Sequence, residues 1–129
     1  MYKQLKSYLK ALLEVDGVMS VILNSPDGMV IEHVNNGFES DPDITGALAA
    51  GIFGMIKRSM LRVSEEEKKF GGDVNQVLIE ISDAKIMSVS VTDGILSIVS
   101  SKDVNLGMLR LVSEKVAKKV STVMNGISE

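Results

Sequence analysis

The chain has 129 residues, a net charge of −3 and no cysteine. Its length is that of one ordinary domain, residues 1–129, with no room for a catalytic domain beside a separate binding module. The missing thiols exclude disulfides, thiolate zinc and a cysteine nucleophile together, and the acidic balance is the opposite of a phosphate-backbone binder's footprint, so nucleic acid is not an expected partner.

No unbroken apolar run approaches the roughly 18 residues of a membrane span. The N-terminal Met1-Tyr2-Lys3-Gln4-Leu5-Lys6 lacks the apolar region of a signal peptide. A soluble, cytoplasmic protein is expected. Aromatic residues make up only 4%, Trp is absent and Met occurs 8 times, so any contact surface relies on aliphatic and thioether side chains.

From Tyr2 to Val15, Leu5, Leu9, Leu12 and Leu13 recur at the spacing of an amphipathic helix, which Gly17 ends. Val18 to Leu23 is β-branched and apolar, Ser25-Pro26-Asp27-Gly28 is a turn, and Met29 to Val34 resumes strand character, which predicts a hairpin. Ser40-Asp41-Pro42-Asp43 then offers a cap, a first-turn proline and an acid near the positive helix end. The helix it announces runs from Pro42 to Glu67 and is apolar on two sides. One set is Ile44, Leu48, Ile52 and Met55; the other is Ala49, Phe53, Ile56, Met60 and Val63. Gly46, Ala50 and Gly54 add a smooth edge of small residues, suited either to close packing on the chain's own sheet or to contact with another helix. The charged turn from Ser64 to Lys69 reads as a solvated helix end, and Phe70-Gly71-Gly72-Asp73 breaks the helix.

Three strands follow, Gln76 to Ile81, Lys85 to Val91 and Ile95 to Ser100, joined by connections too short for anything but antiparallel neighbours. A last helix, from Asn105 to Met124, aligns Leu106, Leu109, Val112, Val116, Val120 and Val123, and Gly126 follows as a stop. The order α-β-β-α-β-β-β-α gives an α+β domain. Its five-stranded antiparallel sheet should carry helices on both faces, since Val18 to Leu23 and Val77 to Ile81 are apolar on both sides.

The residues that chemistry needs are missing. His33 is the only histidine, which leaves no partner for a catalytic triad or a histidine metal site. The glycines never form a phosphate loop, and the acids sit mostly in turns, at Asp27, Asp83 and Asp93. No enzymatic activity, cofactor, metal or nucleotide is expected.

Order and local motifs together resemble the roadblock / dynein light chain family, a relative of the longin and profilin-like folds, from Leu5 to Val123. The resemblance rests on the hairpin Ser25-Pro26-Asp27-Gly28-Met29-Val30-Ile31, on Ala47-Leu48-Ala49-Ala50, and on Asn105-Leu106-Gly107-Met108-Leu109-Arg110-Leu111 after the three-strand meander. It implies a sheet in the order second, first, fifth, fourth, third strand, with the central helix on one face and the terminal helices on the other. It also implies a homodimer whose central helices pack side by side and whose third strands pair. That interface would use Gly46, Ala50, Phe53, Gly54, Lys57, Val77, Ile79 and Ile81. Leu48, Ile52, Met55 and Ser59 would form a platform for a small Ras-like GTPase, whose hydrolysis the dimer would tune or which it would simply hold. The short stand-alone form is most similar to the family's prokaryotic branch. No arginine matches a catalytic finger position, so Arg58, Arg62 and Arg110 read as solubilising surface residues. The alternatives are a purely structural scaffold subunit or a small-ligand sensor of profilin-like or PAS-like architecture, which would need an enclosed, polar-lined cavity between helix and sheet.

Overall fold

The computed structural model describes residues 2–37, 41–67 and 73–128, with side chains described except at 64–67 and 127–128. Its elements are α1 (Tyr2–Leu13), β1 (Val18–Asn24), β2 (Val30–Asn35), α2 (Pro42–Glu67), β3 (Gln76–Glu80), β4 (Ala84–Val91), β5 (Gly94–Ser101) and α3 (Leu106–Ser128). All strand pairs are antiparallel, and the sheet order is β2-β1-β5-β4-β3. That is the predicted order, and it leaves β2 and β3 as the edges.

Side-chain alternation splits the sheet into two unlike faces. On one face, Val21 and Leu23 of β1, Leu96 and Ile98 of β5 and Met87 of β4 meet the buried stripes of α1 (Leu5, Leu9, Leu12) and α3 (Leu109, Val116, Val120, Met124) in one continuous core. The opposite face is smaller and more polar. There Ala49 and Phe53 of α2 pack on Ile95, with Ala50, Val74 and Val77 half-buried around them. The hydroxyls of Ser88 and Ser97, both buried, share a 2.7 Å hydrogen bond across β4 and β5. This pairing satisfies two polar groups that would otherwise be costly beneath a helix.

Caps and turns mark the element ends. The Asp41 carboxylate accepts a 2.9 Å bond from the Asp43 amide, and the Asn105 side-chain carbonyl accepts one of 2.9 Å from the Met108 amide, so α2 and α3 both begin on N-caps. Ser40 and the breaker Phe70-Gly71-Gly72 lie outside the described residues. Two helix ends differ from the sequence reading. α1 stops at Leu13 rather than Val15, because Val15 donates to Leu12 across a tighter turn that leads into the left-handed Gly17. α3 continues through Gly126 to Ser128, because a glycine costs only about 1 kcal/mol of helix propensity and the buried Met124 holds the last turns down.

Leu96 is fully buried where β5 meets both terminal helices. Leu96→Ala is therefore expected to lower the unfolding free energy by about 2–5 kcal/mol in urea denaturation.

Candidate interaction surface

The site begins with the length and composition of α2. Its 26 residues extend about 39 Å at 1.5 Å per residue, more than its own sheet covers. α2 lies over β1, β2 and β5. The apolar set Ala49 and Phe53 turns into the sheet, whereas Ile44 and Met55 of the other set are 68% and 56% exposed. Leu48 is exposed beside them, Ile52 is half-buried, and Ser59 is exposed with its hydroxyl donating to the Met55 carbonyl at 3.0 Å. All four platform residues, Leu48, Ile52, Met55 and Ser59, therefore keep surface accessible to another molecule.

By mean hydropathy, Pro42–Val63 is long and apolar enough to cross a membrane, although its unbroken apolar runs are much shorter than a span, and only 17% of its most apolar window is buried. An apolar helix so little covered by its own chain is the most conspicuous surface feature among the described residues.

The residues expected at a dimer contact fall into three environments. Gly46 is buried against the first hairpin: a Cβ there would lie 3.2 Å from the Gly28 carbonyl oxygen and 3.4 Å from Asn24 Cβ. Gly28 has a φ of +94° and brings its backbone within 3.3 Å (Cβ position) of Ala47 Cα, so two glycines let turn and helix touch. Ala50 borders that contact and is half-buried. Gly54 differs, since a Cβ there would meet only the guanidinium of Arg58 on the same helix. The small-residue edge thus serves two purposes: its first half docks the hairpin, and its last member, half-buried, borders an open groove beside Ser90 and Val91. Phe53 is in the core, and Lys57 makes a 3.8 Å ion pair with Asp73 in which both side chains are well exposed, worth about 1 kcal/mol at most.

Beside α2, the same sheet face continues onto β3 and β4 with little roof. Val77, Ile79 and Ile86 are half-buried and Ile81 is 57% exposed. β3 is an edge strand, so its outer backbone groups and this apolar strip lie side by side. The seam between α2 and β3–β4, lined by Thr45, Leu48, Ile52, Val77, Ile86 and Ser88, leaves no room for a water molecule. It is not the enclosed, polar-lined cavity that a ligand sensor needs.

Among the described residues, no three His, Asp or Glu side chains gather to hold a metal. His33 sits exposed on β2.

The Roadblock/LC7 domain model matches residues 5–100. The chain belongs to the Roadblock/LC7 family. It is 27% identical over 115 residues to the uncharacterized protein MJ1340 of Methanocaldococcus jannaschii, which covers 89% of this chain and 95% of that one. Among solved structures, the Roadblock/LC7 domain from Streptomyces avermitilis superposes with a TM-score of 0.79 at 22% identity, covering 92% of this chain and 96% of that one. The gliding protein MglB from Thermus thermophilus gives 0.81 at 14% identity over 95% of this chain and 89% of that one. A structure described as MglB with tetrameric arrangement gives 0.80 at 14% identity, covering 95% and 88%. Both the α1/α3 core and the α2 layer are thus a family architecture.

The two glycines should respond oppositely to the same change. Gly46→Leu forces the helix off the hairpin and is expected to cost about 1–3 kcal/mol or more. Gly54→Leu meets only a flexible arginine tip, and should leave the stability of the single chain unchanged or raise it by up to about 1 kcal/mol through helix propensity. Urea denaturation followed over a range of protein concentrations and extrapolated to the single chain separates them.

Proposed function

We propose that the chain acts in the cytoplasm as a homodimeric, non-catalytic regulator or adaptor that binds a small Ras-like GTPase. The observation that carries this reading is the uncovered apolar side of α2, continuous with the bare strip on β3. A second copy supplies what both lack: its α2 packs along the Gly54 edge, and its β3 continues the sheet. Gly54, Lys57, Val77, Ile79 and Ile81 form that contact, whereas Gly46 stays with its own hairpin.

Pairing through α2 and β3 leaves Leu48, Ile52, Met55 and Ser59 of both copies near one surface, where aliphatic and thioether side chains offer an adaptable apolar platform. Such a surface stabilises one state of a switch protein by binding it better than the other, and needs no reactive group of its own.

Sedimentation over a hundredfold dilution is expected to show a dimer for the parent protein and a weaker one for Gly54→Leu. A small Ras-like GTPase from the same genome, loaded in turn with GDP and with a non-hydrolysable GTP analogue, should bind the parent in one state more tightly. Leu48→Asp together with Met55→Asp should weaken that binding at least about tenfold while leaving the dimer intact, as expected of central apolar contacts. Equal binding by the double variant would remove α2 as the platform.

A further inference from the structure

The terminal helices hold a charge distribution that the whole-chain balance conceals. α1 carries Lys3, Lys6 and Lys10 with no acid, and α3 carries Arg110, Lys115, Lys118 and Lys119 with Glu114 alone. Seven cations against one carboxylate make this layer net +6 in a chain of net −3, which leaves −9 for everything else. All seven are exposed. Among the described residues, none of them forms an ion pair with a carboxylate.

Helix geometry collects these charges on one outer surface. The buried stripes Leu5-Leu9-Leu12 and Leu109-Val116-Val120 both face the sheet. At 100° per residue, Lys3, Lys10, Lys115 and Lys118 then fall on the opposite side, away from it. The two helices lie against each other, with Lys119 Nζ 5.6 Å from the centre of the Tyr8 ring. They form a surface about 35 Å long, the length of the 23-residue α3, with an open groove between them lined by Gln4, Tyr8, Lys119 and Thr122. Between the cations stand exposed apolar side chains: Tyr2 (59%), Met108 (49%) and Leu111 (50%).

We propose that this α1/α3 surface docks on an anionic phospholipid membrane. Six of the seven cations are lysines, compact point charges without the planar fork by which arginine reads an individual phosphate or carboxylate in a fixed geometry. They suit a diffuse, laterally mobile negative surface, where several basic residues on an amphipathic helix add their attractions. Tyr2, Met108 and Leu111 are placed to enter the headgroup boundary, as the apolar members of an interfacial helix do. Of the two aromatic rings in these helices, the Tyr8 face is occupied by Lys119, which leaves Tyr2 alone at the start of α1 rather than the succession of rings on which a nucleic acid strand stacks. The surface lies on the face of the sheet opposite α2, so a docked chain keeps α2 and its platform pointing away from the lipid. The proposal concerns a single chain and does not rest on the dimer. Where two copies join through β3, both basic layers face the same way.

The test is co-sedimentation of the full chain with vesicles of phosphatidylcholine alone or with about one-third phosphatidylglycerol. The protein should pellet with the anionic vesicles, stay in solution with the neutral ones, and be released when salt rises from about 0.05 to about 0.5 M. Lys115→Glu with Lys118→Glu should lower partitioning at least about tenfold, with an unchanged circular dichroism spectrum. Failure to pellet with anionic vesicles overturns the proposal. So does equal, salt-resistant binding to neutral vesicles, which would indicate insertion of the apolar α2. Undiminished binding by the charge-reversed variant, or preferential capture by a competing RNA duplex, overturns it as well.

Discussion

A helix with apolar residues on two sides cannot satisfy both against one sheet. α2 turns Ala49 and Phe53 inward, and that choice leaves Ile44, Leu48 and Met55 in water on the chain by itself. Each apolar side chain left exposed forgoes about 1.5–3 kcal/mol relative to full burial. A natural sequence that retains several along one helix implies a state in which they are covered. The other layer is built differently: α1 and α3 bury single stripes and present mainly lysines and other polar side chains to solvent, with Tyr2, Met108 and Leu111 exposed among them. The asymmetry between the two faces of the sheet organises the surface of the molecule.

What fixes the rotation of α2 about its own axis is a small contact rather than a large one. Asn24 is fully buried at the end of β1, beside the register shift that releases the hairpin turn, and its amide donates to the Ser25 carbonyl at 2.9 Å. Gly46 fits against it and against the Gly28 carbonyl, while Gly28 fits against Ala47 of the helix, each with space for hydrogens only. A helix held there at its first turns can point only one side of its later turns into the sheet. The exposure of Leu48 and Met55 thus follows from the glycines as much as from the pattern of leucines and isoleucines.

Most of the fold was legible in local patterns: the stripe of Leu5, Leu9 and Leu12, the alternation in β1, and turns too short to permit parallel strands. Sheet order beyond the hairpin and the meander came from the family resemblance, because pairing β1 with β5 is a long-range contact that no local signal encodes. Gly46 and Gly54 look alike in the sequence and part company only in space, where one meets a carbonyl oxygen and the other an arginine tip. Gly126 does not stop α3, because a lone exposed glycine is a weak stop when a buried neighbour such as Met124 holds the helix down. The basic layer was present in the sequence throughout, hidden by averaging its charge with that of an acidic remainder.

If a second copy covers α2 and β3, the outer amides of β3 change their surroundings. Alternate backbone groups within Gln76–Glu80 bond to β4, and the rest point away from the sheet. If β3 pairs with its twin, residue-resolved hydrogen exchange will find the outward amides protected at high protein concentration and exchanging faster on dilution, while those bonded to β4 stay slow in both conditions. Outward amides that exchange freely at every concentration would mean that β3 pairs with no second copy.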